Sequence, residues 1–191
     1  MPFLTSESVV LVTASSAGLG AATARAFASR GVNVVVNYLS NRAKAENLVQ
    51  ELATLDPRPQ KSSHSDASGV DAATLTKPRF IAIHADVSQR LEIIRLVGQT
   101  LEQMGRLDAV ISNQGWTRMR NFFSLDENVE EEDWDKCFNV NVKSHLFLFH
   151  AAREHLDKSR GAFVSVASLA GVKPSGSSVV CGYLSYLMYD I

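Results

Sequence analysis

The sequence has few cysteines and no long apolar run. Its 191 residues include two cysteines, Cys137 and Cys181, which lie far apart and outside any Cys-x-x-Cys spacing. This argues against a disulfide framework or a zinc knuckle. No stretch approaches the roughly 18 apolar residues of a membrane span, and no basic segment precedes the short N-terminal apolar run, as in a signal peptide. We therefore expect a cytoplasmic protein without a membrane partner.

An excess of charge of one sign is also lacking. Lys and Arg number 19, Asp and Glu 20, and the formal net charge is −1. Nucleic-acid-binding domains usually carry a basic stripe, so we expect no nucleic-acid partner. The apolar fraction of 46% and the charged fraction of 20% are those of an average globular domain, which excludes disorder throughout, collagen and a coiled coil.

The histidines lack the spacing of metal ligands, so we expect no metal site. The pattern assigns surface or packing roles to all five of them: His64, His84, His145, His150 and His155.

Short β-branched runs alternate with segments of helical periodicity. Continuous apolar runs are typical of strands buried on both faces. Strands are predicted at 9–12, 32–36, 80–83, 107–112 and 162–166, and helices at 19–29, 41–55, 88–104 (capped by Ser88) and 134–156. This alternation predicts an α/β fold with a Rossmann-type, doubly wound parallel sheet of about five strands. Residues 56–78, rich in Pro, Ser, Asp, Ala and Thr, are predicted to be a surface loop insertion.

The last predicted helix has two sequence features. Phe138, Val142, Leu146 and Phe149 recur at helical spacing, which we interpret as a core-facing stripe. Six carboxylates within 126–133 precede the helix. Such a run is typical of a solvated face, and it also suits the positive N-terminus of the helix.

Three segments at strand ends are candidates for ligand binding. Thr13–Gly20 is a Gly-containing turn before the first helix, where backbone N–H groups can bind pyrophosphate. The alternative is a tight turn in which Gly20 permits close helix packing. Asp86, followed by Val87, could accept a hydrogen bond from an adenine amino group or cap a helix. Ser112–Gly115 ends the fourth strand, at the sheet edge where such folds bind ligands. Alone, it is also consistent with a simple Asn/Gly turn.

In chain order, these segments resemble the short-chain dehydrogenase/reductase family, from Thr13 to Gly171. Thr13–Gly20 resembles T-G-x-x-x-G-x-G, with Ala14 in place of the first glycine. We expect a methyl group to be tolerated there at a negative φ. Ser112–Gly115 resembles N-N-A-G, and Gly161–Gly171 resembles G-x-I-V-x-x-S-S-x-x-G.

The resemblance implies hydride transfer between a nicotinamide and a carbonyl or alcohol substrate. Trp134–Asn141 is similar to the segment that bears the family's catalytic asparagine, which implies that Asn141 holds a water in a proton relay. Ser168 is implied to bind the substrate oxygen. The implied cofactor-binding residues are Thr13, Ser15, Ser16, Gly18, Leu19, Gly20, Tyr38, Ser40, Arg42, Asp86, Val87, Asn113 and Gly115. In this family the 134–156 helix also packs against its copy in another subunit, so a homo-oligomer is a secondary expectation.

The end of the second strand indicates which cofactor is preferred. Folds of this kind that bind NAD usually place an acidic residue there for the ribose 2′-hydroxyl. Residues 37–42 contain no acid but include Ser40 and Arg42, which suit a 2′-phosphate. We therefore predict NADP(H) in preference to NAD(H). The alternative is that Arg42 only faces solvent.

Beyond Gly171 the family pattern fails. The family's catalytic tyrosine is expected about a dozen residues after Ser168, where this chain has Cys181 and Gly182. No tyrosine is followed by a lysine four positions later, so Y-x-x-x-K is absent. A free phenol has a pKa near 10 and needs a shift of about 3 units to act near neutral pH. Tyr183 would therefore be a poor acid.

The C-terminal segment 179–191 differs in composition from the rest. It holds three of the four tyrosines and a single charged residue. We predict a nucleotide-binding domain at 1–178 and an atypical tail at 179–191, which we interpret as read-through of an intron or a frameshift. The family continues with further elements, so the chain is interpreted as a C-terminally truncated reductase of impaired activity.

The alternative is a non-catalytic, regulatory NADP(H)-binding protein on the same scaffold. The retention of Ser168 and Asn141 favours the reductase. The substrate is not predicted. Trp116 and Met119 are candidates for the substrate pocket, and surface or packing roles fit them equally well.

Overall fold

A five-stranded parallel sheet forms the centre of the molecule. The computed structural model describes residues 4–59, 77–173 and 177–187. The strands are β1 (Val9–Val12), β2 (Asn33–Tyr38), β3 (Phe80–His84), β4 (Ala109–Ser112) and β5 (Ala162–Ser165), in the order β3-β2-β1-β4-β5. Every pairing is parallel. The predicted fold class is confirmed.

Helices cover both faces of this sheet. They are α1 (Gly18–Ala28), α2 (Arg42–Leu55), α3 (Arg90–Met104), α4 (Glu131–Phe138), α5 (Ser144–Ser159) and α6 (Val179–Leu187). Alternate residues of β1 point to opposite faces, as the period of a strand requires. Val10 and Val12 pack with α1 and α2, while Val9 and Leu11 pack with α3 and α5.

Several predicted boundaries are corrected. Helix α3 begins at Arg90 after Gln89, so Ser88 does not cap it. Strand β2 continues to Tyr38 because it pairs with β3 as far as His84. Of the predicted loop 56–78, residues 60–76 lie outside the described part.

The helix predicted at 134–156 is two helices. A π-helical turn, Asn139–Lys143, separates α4 from α5. The π-turn adds one residue to the helical period and so rotates the buried face. The buried residues of α5 are Ser144, His145, Leu148, Ala152 and Leu156. The predicted core stripe is wrong, since Phe138 and Phe149 are each 42% exposed and Leu146 is 62% exposed.

The acidic run meets the N-terminus of α4 as predicted. Glu131, Glu132 and Asp133 lie in its first turn. Asp133 does not lie on a solvated face. It is buried and pairs with Arg118 at 3.0 Å and Arg120 at 2.8 Å.

Helix α6 packs onto α4. Its Val180 and Leu184 are buried beside Cys137, with Trp116, Trp134 and Val142 around them. The backbone N–H of Val179 donates to Asn128 Oδ1 at 2.9 Å. The division of the chain after Ser178 stays a prediction. Among the described helices, none is both long and apolar enough to cross a membrane.

Candidate active site

The strand order places a crevice at the carboxyl ends of β1 and β4. The chain leaves β1 toward β2 on one side and enters β4 on the other, so the loops after these strands diverge. Open parallel sheets bind ligands at such a switch point. The loop 13–17 leads from β1 into α1, and residues 113–115 follow β4.

Ala14 adopts a backbone conformation that was not expected. Its φ is +47°, in the left-handed region that favours glycine. The expectation of a negative φ is therefore wrong. The loop must turn sharply here, because the N–H of Ala14 reaches Asn37 Oδ1 at 3.1 Å and the N–H of Ser15 reaches the Asn37 carbonyl at 2.9 Å.

The N-terminus of α1 is open to a ligand. Ala17 caps it without a side-chain hydrogen bond, and no acidic side chain lies in its first turn. Gly18 has a φ of +56° with free space where a Cβ would lie, and Leu19 is exposed. A Cβ on Gly20 would lie 2.6 Å from Asn113 Nδ2 and 2.8 Å from the Ala14 carbonyl oxygen, so only glycine fits there.

The two serines of the loop differ in their surroundings. Ser15 is buried, and its hydroxyl donates to the Val12 carbonyl at 2.6 Å. This bond turns the side chain into the protein and fixes the loop. Ser16 is half-buried at the start of the crevice.

Asn37 is a structural residue at the end of β2. It is buried, and its Nδ2 donates to the carbonyls of Ile83 at 3.3 Å and Ala85 at 3.1 Å. Together with its bonds to the loop after β1, these contacts connect three strand ends. Asn37 is therefore fully engaged within the protein.

The predicted cofactor residues that follow Asn37 differ in their exposure to solvent. Tyr38 is buried and its ring packs edge-on against His84, whereas Ser40 and Arg42 are exposed. Arg42 Nε donates to Glu46 Oε1 at 2.7 Å, and this bond raises the pKa of Arg42. Arg42 is thus a fixed positive charge at the start of α2, partly neutralised by Glu46.

Asp86 and Val87 follow β3. Asp86 Oδ1 accepts from the backbone N–H of Ser88 at 2.9 Å, which is a turn ahead of α3. Val87 is buried in the core shared with α3 and α5.

A buried polar network links the β1 and β4 ends to α5. The Thr13 hydroxyl donates to Gln114 Oε1 at 2.5 Å and accepts from the Asn113 N–H at 2.9 Å. Gln114 Nε2 donates to Ser144 Oγ at 2.7 Å and to Ser112 Oγ at 3.0 Å. Thr13 and Asn113 were predicted from the sequence, but Gln114 was not. Gln114 departs from the resembled motif and forms the centre of the network.

Ser168 and Asn141 line one cavity of about 270 Å³ beside this network. The other lining residues are Asn113, Gln114, Gly115, Trp116, Thr117, His145, Val166, Ala167, Cys181 and Leu184. Ser168 Oγ accepts from the Ala170 N–H at 3.2 Å, so its own proton remains available to a ligand. Met119 is exposed and does not line this cavity.

Asn141 lies within the π-turn, with its side chain fully engaged. Its Oδ1 accepts from the Trp116 N–H at 2.7 Å, and its Nδ2 donates to the Trp116 carbonyl at 2.8 Å. Both halves of the amide therefore hold the loop after β4 against the π-turn. Gly115 is next to this contact, and a Cβ there would lie 3.9 Å from Asn141 Oδ1.

His145 lines the cavity floor. It is 5% exposed, and its Nδ1 lies 3.0 Å from Ser165 Oγ. Burial lowers the pKa of His145 to about 4, although a hydrogen bond to the Gln114 backbone raises this pKa. The ring is therefore neutral at pH 7. No residue-type signal distinguished it from the other histidines. The described residues contain no cluster of His, Cys, Asp and Glu able to hold a metal ion.

The cavity contains a thiol where the resembled family has a phenol. Cys181, thirteen residues after Ser168, lines it, whereas Tyr183 does not. Tyr183 is 57% exposed and its ring lies against Trp134, with 6.2 Å between the ring centroids. Cys137 is fully buried behind the cavity, and burial raises its pKa to about 12.

A switch-point crevice beside an open helix N-terminus is where open α/β sheets bind their ligands. The family model of the short chain dehydrogenases matches residues 8–73 and 60–183 of this chain. The chain therefore belongs to the short-chain dehydrogenase family.

Individual relatives agree with this assignment. The chain is 34% identical over 162 residues to the hydroxynaphthalene reductase-like protein Arp2 of Metarhizium majus, covering 85% of this chain and 51% of the relative. It is 33% identical over 168 residues to a short-chain dehydrogenase/reductase of Pestalotiopsis microspora, covering 88% and 54%. The chain thus spans about half the length of the curated relatives it matches.

Solved structures share the fold. A short-chain dehydrogenase/reductase of unknown function from Caenorhabditis elegans, with cofactor, superposes with a TM-score of 0.77 at 19% identity, covering 96% of this chain and 61% of that one. An NADH-dependent reductase complexed with NAD gives 0.78 at 23% identity, covering 96% and 69%.

Proposed function

We propose that this chain binds NADP(H) in the crevice between β1 and β4 and reduces a carbonyl substrate in the adjoining cavity. The observation that carries the proposal is the convergence of Ser168, Asn141 and the open N-terminus of α1 at one sheet edge. Family membership and the NAD-bound neighbour support a nicotinamide cofactor. The substrate class, a carbonyl or alcohol, follows from the family.

The residues present fit a dinucleotide. The uncapped N–H groups of α1 suit a pyrophosphate, and Gly18 leaves open space at the start of this helix. Gly20 instead lets α1 pack closely against Asn113 and the Ala14 carbonyl. Ser16 is half-buried in the loop before α1, and Asn113 Nδ2 donates to the Thr13 and Ala14 carbonyls of that loop at 3.2 and 3.3 Å. Asp86 lies at the end of β3, where an adenine would extend along the sheet edge.

The chain's own groups bind and orient the substrate. The chemistry that a nicotinamide cofactor would supply, when bound, is hydride transfer to the carbonyl carbon. The Ser168 hydroxyl donates to the carbonyl oxygen, where negative charge develops during reduction. Asn141 fixes the loop after β4 through Trp116. Its amide is engaged there, so Asn141 acts by positioning this loop.

The preference for NADP(H) rests on Ser40 and Arg42. No carboxylate of residues 37–42 would repel a 2′-phosphate, and a charge-assisted bond from Arg42 would attract it. We expect Arg42→Ala to weaken NADPH binding about tenfold and to leave NADH binding unchanged, since a hydrogen bond to a charged group contributes about 1.5–3 kcal/mol. Nicotinamide fluorescence titration measures both affinities.

Glu46→Gln is the matched control for this experiment. It releases Arg42 from its ion pair, so NADPH should bind more tightly than to the unmodified chain. Equal effects of Arg42→Ala on NADPH and NADH would contradict the assignment. NADPH binding without oxidation by any carbonyl compound would favour the second candidate, a non-catalytic NADP(H)-binding protein, which the missing Y-x-x-x-K supports.

A further inference from the structure

We propose that Cys181 is the proton donor of this site, taking the place of the phenol that the chain lacks. This inference rests on the proposed function. Cys181 lines the same cavity as Ser168 and Asn141. Carbonyl reduction needs a group in this space that can give up a proton to the developing alkoxide.

Among the described lining residues, the other candidate acids fail. His145 is neutral at pH 7, because burial holds its pKa near 4, and its ring already contacts Ser165. Ser168 is a hydroxyl of far higher pKa than a thiol and serves as a hydrogen-bond donor. The remaining lining residues carry amides, an indole, a threonine hydroxyl or aliphatic groups. Tyr183 lies outside the cavity against Trp134.

The helix α6 holds Cys181 at the cavity. Val180 and Leu184 are buried against Cys137 on α4, which fixes the helix on both sides of the thiol. Two titratable groups near the thiol are uncharged at pH 7. Cys137 remains a thiol since its pKa is about 12, and His145 remains neutral.

A thiol also depends less than a phenol on the lysine that this chain lacks. Thiols as a class are stronger acids than phenols, so a thiol gives up a proton more readily than the phenol that the chain lacks. A protonated thiol is the form required for reduction.

As the hydride reaches the carbonyl carbon, the carbonyl π pair moves to the oxygen. The S–H bond of Cys181 breaks, and its proton forms an O–H bond with that oxygen to give the alcohol. The thiolate left on Cys181 is then protonated by water.

The first test needs no cofactor. The chain is treated with iodoacetamide, with and without 4′-chloroacetophenone, and the alkylated cysteine is identified by peptide mass spectrometry. We expect alkylation at Cys181 and none at the fully buried Cys137. The ketone should slow the reaction, by about half at its Kd. An unreactive Cys181, or one that the ketone does not protect, overturns the proposal.

The second test measures turnover. NADPH oxidation is followed with 4′-chloroacetophenone for the unmodified chain and for Cys181→Ala, Cys181→Ser and Tyr183→Phe. Loss of a general acid lowers kcat by about 100-fold or more, so both cysteine variants should lose activity. KM should change by less than about twofold. Tyr183→Phe should retain full activity, and a thermal melt of each variant checks that it folds.

The outcomes separate this inference from the proposed function. If Cys181→Ala retains the unmodified rate, or if Tyr183→Phe alone abolishes it, the inference fails and the reductase assignment stands. If the unmodified chain binds NADPH but does not oxidise it, the inference fails together with catalysis, and cofactor binding stands. If NADPH does not bind, both proposals fail.

Discussion

Ala14 shows how a single residue can carry strain at a binding loop. A non-glycine residue in the left-handed region raises the free energy of the folded state by roughly 1–2 kcal/mol. At Ala14, hydrogen bonds from the N–H groups of Ala14 and Ser15 to Asn37 offset this cost. The loop geometry that opens the helix N-terminus thus comes from the contacts at the end of β2.

Replacing Ala14 with glycine should stabilise the protein. Relief of the positive φ outweighs the extra entropy of glycine in the unfolded chain, roughly 0.5–1 kcal/mol. The free energy of unfolding should therefore rise by up to about 1 kcal/mol. Urea denaturation measures it. Ala22→Gly, at an exposed position within α1, should lower stability by about 1 kcal/mol. A loss of stability in Ala14→Gly would contradict the argument.

His145 should make the fold sensitive to mild acid. Its pKa falls from 6.5 to about 4 on burial, so the unfolded state binds its proton first as the pH drops. Stability is present above about pH 6.5 and is lost progressively toward pH 4. The loss for this residue is on the order of 3 kcal/mol. In His145→Gln, the free energy of unfolding should change less over this interval, as measured by urea denaturation at successive pH values. Parallel curves for the two proteins would refute the assignment.

At the scale of elements, the π-turn decides which face of a helix is buried. The apolar stripe at 138, 142, 146 and 149 has the spacing of a continuous helix, yet the structure exposes most of it. The extra residue of the π-turn brings Ser144 and His145 to the sheet instead. The same turn brings Asn141 to Trp116, so one local irregularity both builds the candidate site and frees an apolar surface.

The end of α2 is fastened by a buried carboxylate. Asp56 caps this helix, and its side chain is 2% exposed. Burial by itself would raise the pKa of Asp56, but hydrogen bonds from Arg58 and Arg79 hold it at about 2. The two arginines thus tie α2 to the residue that precedes β3.

The Asp56 carboxylate should make the stability of the protein depend on pH over a second, more acidic range. Its folded pKa lies below the unfolded value of 3.8, so its contribution is complete above about pH 4 and is lost as the pH falls toward 2. Asp56→Asn should lower the free energy of unfolding by about 2 kcal/mol at pH 7. The difference from the unmodified chain should vanish near pH 2. Thermal melts across this range test it, and a constant difference would argue against the ionic explanation.

At the scale of the whole molecule, the exposed stripe suits a second copy of the chain. Phe138, Leu146 and Phe149 expose apolar side chains on α4 and α5, where the resembled family pairs its subunits. Where such exposed apolar side chains form a patch, the patch marks an interaction surface. We propose that two copies of the chain pair through this surface.

Leu146→Glu tests this surface. We expect the unmodified chain to have at least twice the mass of one chain by light scattering, and the variant to shift toward the single-chain mass because a buried, unpaired carboxylate is costly at an interface. Leu55→Glu, on α2 across the sheet, should leave the mass unchanged. A monomeric unmodified chain would disprove the proposal.

The sequence by itself determined the layout of this protein. Continuous apolar runs such as Val9–Val12 are buried on both faces, so they define parallel strands without knowledge of their neighbours. The positions of Thr13 and Asn113 at strand ends likewise follow from chain order, because parallel strands end at one edge. Family membership could also be predicted, because the motifs that resemble the family lie at the ends of these strands.

Only the tertiary structure decided the details of the candidate site. The central place of Gln114, the buried neutral ring of His145 and the presence of Cys181 in the cavity all depend on segments far apart in sequence. The positive φ of Ala14 depends on Asn37, and the exposed stripe depends on the π-turn. Local patterns carry the period of an element, whereas burial, strain and protonation depend on what packs against it in space.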